Sequence, residues 1–162
     1  ASRGHDIELR SEASIIFGNR FAISILLKNL IANAAKYTPD HGKILVSCQQ
    51  GSRHSVILRI EDSGPGIAPT EYQRVFDRFY RIGGDIHNSK IIGCGLGLSI
   101  VKHIVQLHQA SISLSVSEAL AGLCVEVVFS HKENMREGKI EIKTQNNDYA
   151  HNSKVPQSVG HV

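Results

Sequence analysis

The segment NLIANAAKYTP at positions 29–39 lies in a predicted helix that carries two different stripes of side chains. An apolar stripe with helical spacing runs through it and predicts a helix over residues 21–36 with one buried face. Asn29, Asn33 and Lys36 share a second, polar face of the same helix. The turn-forming stretch TPDHG at 38–42 then ends the helix. The members of the apolar stripe are Ile23, Leu26, Leu27, Leu30 and Ala34.

Two interpretations of the polar stripe are open from these residues alone. Polar side chains on a helix usually form a solvated face. Asparagine is however a poor helix former, and two asparagines four residues apart lower helix stability relative to alanine or glutamate. A neutral amide oxygen suits Mg²⁺, which keeps several waters and takes one or two protein ligands beside nucleotide phosphates. Taken alone, the stripe slightly favours the solvated face over a metal and nucleotide site.

The stretch DSGPG at 62–66 follows a predicted strand over residues 55–61, in which apolar and other side chains alternate. It could be only a turn, because Asp, Ser, Gly and Pro are the standard turn residues. A carboxylate at a strand end can also accept a hydrogen bond from the exocyclic amine of adenine, and glycines let the backbone approach the base. A plain turn and a nucleotide site explain this segment about equally well.

GCGLGL at 93–98 is the most specific of the motifs. Its three glycines precede a predicted helix over residues 96–109, where free backbone N–H groups and the helix dipole favour an anion such as phosphate. The spacing fits neither the Rossmann motif nor the P-loop. A flexible loop without a ligand is the alternative interpretation.

FDRFYR at 76–81 mixes aromatic and basic side chains before a glycine-bearing polar loop over 82–92, which we expect to be mobile. Core packing is expected for the aromatic residues, Phe76 above all, and solvent exposure for the arginines. Arg81, at the base of the loop, could instead pair with phosphate, because the guanidinium fork is well shaped for it. Together the polar helix face, DSGPG and GCGLGL predict that the chain binds ATP.

The 162 residues, 41% hydrophobic and 20% charged, are typical of a soluble globular protein with its own core. The net charge of +3 comes from scattered residues and gives no reason to expect nucleic-acid binding. No apolar run approaches the roughly 20 residues of a membrane span, and no signal peptide is visible, so we expect a cytoplasmic location. The three cysteines lack metal-type spacing, which is typical of a reducing compartment.

We predict one domain over residues 1–130 and a polar, flexible tail over 131–162. Further strands are predicted over 43–48, 111–117 and 124–129, and a short helix over 69–77. His103 and His108, on the predicted helix after the glycine motif, are expected to be structural or surface residues.

The motifs resemble those of the catalytic and ATP-binding domain of bacterial sensor histidine kinases, within the gyrase-type ATPase superfamily. NLIANAAKYTP resembles the N box, DSGPG the G1 box, FDRFYR the F box and GCGLGL the G2 box, and the resemblance covers roughly residues 10–130. The F box and the short lid at 82–92 are more similar to the kinases than to topoisomerases or mismatch-repair ATPases. The resemblance implies an α/β two-layer sandwich of the Bergerat type, in which about three α-helices cover one face of a mixed sheet.

The resemblance also implies roles for individual residues. Asn33 would hold Mg²⁺, with Asn29 and Lys36 near the phosphates of ATP. Asp62 would bind the adenine amine, and Arg81 would contact the γ-phosphate. The other residues expected to line the ATP site are Tyr37, Gly64, Gly66, Ile67, Gly93, Gly95, Leu96, Gly97 and Leu98.

The chain departs from the family pattern at two places. The last family box usually carries Gly and Thr before the final strand, whereas here Gly122 is followed by Leu123 and the hydroxyl is lost. In addition, no His-Glu/Asp-x-x-x-Pro segment precedes the domain. We therefore expect a fragment that binds ATP but does not phosphorylate itself appreciably. We also expect a monomer, because the sequence has no heptads and no large apolar stripe to spare for dimerisation.

The implied function is transfer of the γ-phosphate of Mg-ATP to a histidine on a separate dimerisation and phosphoacceptor domain. The parent would be a homodimer anchored in the bacterial inner membrane, and it would pass the phosphate to the receiver domain of a response regulator. Two alternatives are an anti-sigma-factor serine kinase of the same superfamily and a non-catalytic nucleotide-sensing or scaffold module. The F-box arginines and aromatics argue against the first, and Asn33, Asp62 and the glycine set against the second.

Overall fold

A computed structural model of the chain describes residues 4–82 and 96–130, in which five strands form one mixed sheet. The strands stand in the order β1-β2-β3-β5-β4. β1 pairs in parallel with β2, and the other pairs are antiparallel. The strands are β1 (Asp6–Ser11), β2 (Lys43–Gln50), β3 (Val56–Asp62), β4 (Ser111–Val116) and β5 (Leu123–Phe129), and the α-helices are α1 (Arg20–Tyr37) and α2 (Gly97–Leu107).

Helix α1 forms where the apolar stripe predicts it, one residue longer at each end. Asn19 caps its start, because its side-chain oxygen accepts a hydrogen bond from the Ala22 N–H at 2.9 Å. At the other end the Thr38 N–H donates to the Ala34 carbonyl, and the chain leaves the helix before Pro39. The buried stripe consists of Leu26, Leu30 and Ala34.

The core lies between the two helices and one face of the sheet. Alternate residues of the central strand β3, Val56, Leu58 and Ile60, are buried in one cluster with the buried residues of α1, α2 and β5. On the opposite face the Arg59 guanidinium pairs with the Glu126 carboxylate of β5 at 2.6 Å. One face of the sheet is thus apolar and covered by the helices, as the predicted two-layer sandwich requires.

Two local predictions differ from the structure. Strand β1 was not predicted, because all six of its residues are exposed at the sheet edge and no burial pattern distinguishes them. Residues 69–77, predicted as one short helix, form two 3₁₀ turns, Pro69–Glu71 and Arg74–Phe76. Val75 is the only buried residue of these turns, so no apolar face holds an α-helix there. The described residues therefore contain two α-helices.

Two further predictions lie outside the described residues. They are the flexible tail over 131–162 and the mobile loop, of which only Ile82 is described. None of the helices in the described ranges is both long and apolar enough to cross a bilayer.

The burial of α1 gives a stability prediction. Leu26 is fully buried between the helices and the sheet, so Leu26→Ala should lower the free energy of unfolding by about 2–5 kcal/mol. Leu107→Ala, at the exposed end of α2, is the matched control and should change it by no more than about 0.5 kcal/mol. Denaturant unfolding of the two variants measures both values. Equal losses would contradict the packing of α1 described above.

Candidate nucleotide site

A cavity of about 450 Å³ opens between α1, the end of β3 and the start of α2. Its volume lies within the range of small-molecule sites. Apolar walls come from Leu30, Ile60 and Val125, and Leu123 of β5 closes one side. Residues predicted for the ATP site that line it are Asn33, Lys36, Tyr37, Asp62, Gly66, Ile67, Arg81, Leu96, Gly97 and Leu98.

Asp62 is the last residue of the central strand, and its carboxylate is only 5% exposed. Its Oδ1 accepts hydrogen bonds from two backbone N–H groups, those of Gly64 at 2.8 Å and Leu123 at 3.3 Å. Among the described residues no donor contacts Oδ2. Burial raises the pKa of Asp62, and the two backbone hydrogen bonds oppose that shift. Oδ2 is therefore available as an acceptor for a ligand in the cavity.

The turn after Asp62 is fixed by its backbone. Gly66 has a φ of +70°, while a Cβ there would meet no atom closer than 3.8 Å, so backbone conformation rather than space requires glycine. Ser63 closes the start of β2, because its Oγ accepts from the Lys43 N–H at 2.8 Å. Gly64 does not line the cavity, but its backbone N–H holds the Asp62 carboxylate through a hydrogen bond to Oδ1. The turn therefore orients the carboxylate as well as bordering the cavity.

Asn29 and Asn33 face the first residue of α2. A Cβ on Gly97 would lie 3.2 Å from Asn29 Oδ1 and 3.6 Å from Asn33 Oδ1, so only a bare backbone fits at this distance without displacement. The Asn29 amide nitrogen donates to the Ile25 carbonyl at 2.9 Å, which turns its oxygen towards Gly97. Two amide oxygens thus lie beside the N-terminus of α2. The oxygens suit a cation, and the positive end of the helix dipole suits an anion.

The same cavity is lined by two cationic side chains, Lys36 near the end of α1 and Arg81 shortly after the second 3₁₀ turn. The Lys36 ammonium also lies 4.9 Å from the centre of the Tyr37 ring. Tyr80, next to Arg81, donates a hydrogen bond to the Glu71 carboxylate, and this bond raises the pKa of Tyr80. The cavity therefore combines the buried Asp62 carboxylate at one wall with two cationic side chains and the Asn33 amide at others.

The aromatic residues of the FDRFYR stretch are less buried than core packing predicts. Phe76 is half-buried, with the Lys102 ammonium 5.9 Å from its ring centre. Phe79 is 71% exposed with a φ of +65°, so the prediction of core packing is wrong for Phe79.

Sequence reasoning identified Gly122 and Leu123 as part of the last family box but missed their backbone contacts with Asp62. Leu123 supplies a backbone N–H to Asp62, and Gly122 packs directly against the same residue. The glycine at 122 was the available signal, but a backbone contact between residues 62 and 123 leaves no side-chain pattern. Gly93 and Gly95, predicted as phosphate-binding, lie outside the described residues.

The described residues contain no group of three or more His, Cys, Asp and Glu side chains that could hold a metal ion by themselves. His103 is exposed. His108 is structural, because its Nδ1 bonds the Ile104 carbonyl at 2.8 Å and its Nε2 accepts from the Asn19 N–H at 3.0 Å. The predictions for both histidines are confirmed.

The family described as histidine kinase-, DNA gyrase B- and HSP90-like ATPases matches residues 18–134. The chain belongs to this family. This ATPase domain is 38% identical over 122 residues to the sensor protein kinase PmrB of Pseudomonas aeruginosa, a match covering 75% of this chain and 25% of PmrB. It is 34% identical over 128 residues to the signal transduction histidine-protein kinase BaeS of Escherichia coli, covering 78% of this chain and 27% of BaeS.

Among solved structures, the mycobacterial sensor histidine kinase MprB is similar to this ATPase domain with a TM-score of 0.68 and 29% identity. The match covers 78% of this chain and 81% of that structure. The chain spans about a quarter of the length of the curated relatives it matches. The resemblance to the ATPase domain of sensor histidine kinases and the predicted fold class are confirmed.

Proposed function

We propose that the chain is the Mg-ATP-binding catalytic domain of a sensor histidine kinase, which transfers the γ-phosphate of ATP to a histidine on a separate domain. The observation that carries the proposal is the convergence of Asn33, Lys36, Asp62, Arg81 and Gly97 on one cavity. These residues come from distant parts of the sequence. A solvated helix face and a plain turn would give no reason for them to meet.

Asp62 would recognise the adenine base. Its Oδ1 is occupied by two backbone N–H groups, and Oδ2 would accept a hydrogen bond from the exocyclic amine. Ile67 and Leu123 supply apolar surface beside it for the faces of the base. The Tyr37 ring, which also lines the cavity, would pack by the base.

Asn33 would hold Mg²⁺ through its amide oxygen. The donor set fits, because a magnesium ion carried by nucleotide phosphates needs only one or two protein ligands and no closed cage. Asn33 lines the cavity beside Gly97, whose backbone at the start of α2 would approach the phosphates. When bound, the ion would neutralise phosphate charge.

Lys36 and Arg81 line the cavity and would place positive charge along the phosphates of ATP. Arg81 would contact the γ-phosphate, and Asn29 would lie near the phosphates. Because phosphoryl transfer depends mainly on positioning and charge stabilisation, these residues would hold the γ-phosphate for in-line attack by an imidazole. The attacking histidine would come from the dimerisation and phosphoacceptor domain of the parent. Gly93 and Gly95 would complete the phosphate contacts.

The parent would be a homodimer anchored in the inner membrane, with this domain in the cytoplasm. It would pass the phosphate to the receiver domain of a response regulator. The support is the similarity to sensor kinases such as PmrB and BaeS. Residues 1–130 would form the catalytic domain and 131–162 a tail.

Incubation with γ-labelled ATP tests the proposed reaction. The chain alone should acquire no acid-labile label, and the phosphoacceptor domain of its parent, added as a separate polypeptide, should become labelled. The matched control is the same mixture with the acceptor histidine replaced by glutamine. Labelling of the chain itself, or labelling of that control, would contradict transfer to the separate histidine.

Replacement of the proposed metal ligand gives a second test. Asn33→Ala should weaken Mg-ATP binding about tenfold or more, since loss of a group that orients or holds a metal typically costs 10–100-fold. Titration calorimetry in Mg²⁺ and in EDTA should show that the variant has lost the advantage that Mg²⁺ gives the unmodified chain. Lys28→Ala, on the exposed face of α1, should keep it. An unchanged Mg²⁺ dependence in Asn33→Ala would overturn this assignment.

A further inference from the structure

The turn at residues 117–122, between β4 and β5, is organised around one buried serine. Ser117 is 2% exposed and uses every polar group that it has. Its N–H donates to the Gly122 carbonyl at 2.8 Å, and its carbonyl accepts from the Ala121 N–H at 2.9 Å. Its Oγ accepts from the Leu120 N–H at 2.9 Å. The serine therefore fixes the shape of the whole turn.

The remaining bond of Ser117 leaves the turn and reaches the central strand. The hydroxyl donates to Glu61 Oε1 at 2.8 Å, and Glu61 immediately precedes Asp62 in β3. Because consecutive side chains of a strand point to opposite faces of the sheet, Glu61 lies on the face opposite the Asp62 carboxylate. Hydrogen bonds to a charged partner are among the stronger ones, so this bond ties the turn firmly to the strand end.

The other end of the turn touches Asp62 itself. A Cβ on Gly122 would lie 2.1 Å from the Asp62 carbonyl oxygen and 2.6 Å from Oδ1. The next residue, Leu123, donates its N–H to Asp62 Oδ1 at 3.3 Å. This bond is at the long end of the range, so a small displacement of the turn would break it. The turn thus holds the end of β3 from both faces, at Glu61 and at Asp62.

We infer that Ser117 and Glu61 are positioning residues for the nucleotide base, acting through the turn on the orientation of the Asp62 carboxylate. The inference rests on the proposed function of Asp62 as the base acceptor. When both N–H groups bind Oδ1, the carboxylate cannot rotate and Oδ2 stays available to the base. When the Leu123 contact is lost, the Gly64 bond alone leaves the carboxylate free to turn, and the base loses its oriented acceptor.

The positioning role acts on the base and not on the phosphates. Ser117 does not line the cavity, and its hydrogen bonds reach the turn and Glu61 but neither Asn33 nor Gly97. Ser117→Ala should therefore raise the Kd of ATP about tenfold. This is the effect expected when the base loses its oriented hydrogen bond to the charged Asp62 carboxylate. The Kd of magnesium tripolyphosphate, which has no base, should stay unchanged. Because the phosphate groups keep their places, the transfer rate at saturating ATP should also stay unchanged while KM rises.

Calorimetric titrations of the full chain with both ligands test the inference. Ser117→Thr keeps the hydroxyl and should restore ATP binding, whereas Ser113→Ala, an exposed serine of β4, is the matched control and should bind as the unmodified chain does. Glu61→Gln keeps an acceptor but removes its charge, and it should raise the Kd of ATP by less than Ser117→Ala. It also provides the test if Ser117→Ala does not fold.

The outcomes separate this inference from the proposed function. If the unmodified chain binds no ATP, the proposed function fails and the inference with it. If the unmodified chain binds ATP but Ser117→Ala leaves the Kd unchanged, only the positioning role is overturned. Equal weakening of ATP and tripolyphosphate, or failure of Ser117→Thr to restore binding, would likewise overturn it, because a general loss of structure would explain both.

Discussion

Asp62→Asn should abolish ATP binding at concentrations that saturate the unmodified chain, without destabilising the fold. The asparagine oxygen can accept the same two backbone N–H groups, so the local structure is retained. Its amide nitrogen then takes the place of Oδ2 and presents a donor to the donor amine of adenine. Loss of a charge-assisted hydrogen bond costs about 1.5–3 kcal/mol, and an unsatisfied pair of facing donors adds to that.

The difference in stability between Asp62→Asn and the unmodified chain should depend on pH in a defined direction. Burial raises the pKa of Asp62 above 3.8, so between that value and the native pKa the folded state binds more protons than the unfolded chain. The contribution of Asp62 to stability therefore grows as pH falls through this window and declines as pH rises through the native pKa. At neutral pH Asp62→Asn should be as stable as the unmodified chain or more stable, and any advantage should shrink on acidification.

Calorimetry with ATP and thermal unfolding at several pH values measure both effects. Asp77→Asn, at an exposed aspartate, is the matched control and should bind ATP as the unmodified chain does. Normal ATP affinity in Asp62→Asn would remove the carboxylate from base recognition. A stability advantage that grows as pH falls would contradict the raised pKa.

Gly122→Ala should have the second large effect, because the turn and the strand end are in backbone contact. The new Cβ would lie 2.1 Å from the Asp62 carbonyl oxygen and 2.7 Å from the Gly64 nitrogen, so backbone and not a flexible side chain must move. Overpacking of this kind costs about 1–3 kcal/mol or more. The displaced Asp62 should also bind ATP at least about tenfold more weakly, through loss of an oriented charge-assisted hydrogen bond.

Gly66→Ala is the comparison that separates the effect of a steric clash, expected at Gly122, from the effect of a left-handed backbone conformation. A Cβ at Gly66 meets nothing within 3.8 Å, so its cost should be only the roughly 1–2 kcal/mol of a left-handed residue. Thermal unfolding and ATP titration of both variants give the comparison. A Gly122→Ala protein that unfolds at the unmodified temperature and binds ATP normally would show that the turn does not press on Asp62.

The sequence predicted those parts of the fold and site that leave a periodic or compositional pattern. The buried stripe of α1 and the alternation of β3 put Asn33 on a helix and Asp62 at a strand end, as the structure has them, because burial selects apolar residues at helical or strand spacing. The same periodicity separates the polar face of α1, which turns its amides to Gly97. These patterns are local, and so they can be read without the tertiary structure.

Other parts of the site depend on contacts that no local pattern records. The Leu123 N–H bonds Asp62 through backbone, and any residue other than proline supplies an N–H. Strand β1 is held by pairing with β2 while its side chains stay exposed, so its sequence is under no burial constraint. The buried Ser117 likewise looks like an ordinary turn residue until its bond to Glu61 is seen.

Titration calorimetry of the unmodified chain with ATP and GTP, in Mg²⁺ and in EDTA, tests the central claim most directly. We predict saturable ATP binding that is tighter with Mg²⁺ than without it. GTP should bind at least about tenfold more weakly, because guanine would present a carbonyl oxygen to Asp62 where adenine presents an amine. Absence of ATP binding, or equal affinity for the two nucleotides, would contradict the assignment of this cavity as an adenine-specific Mg-ATP site.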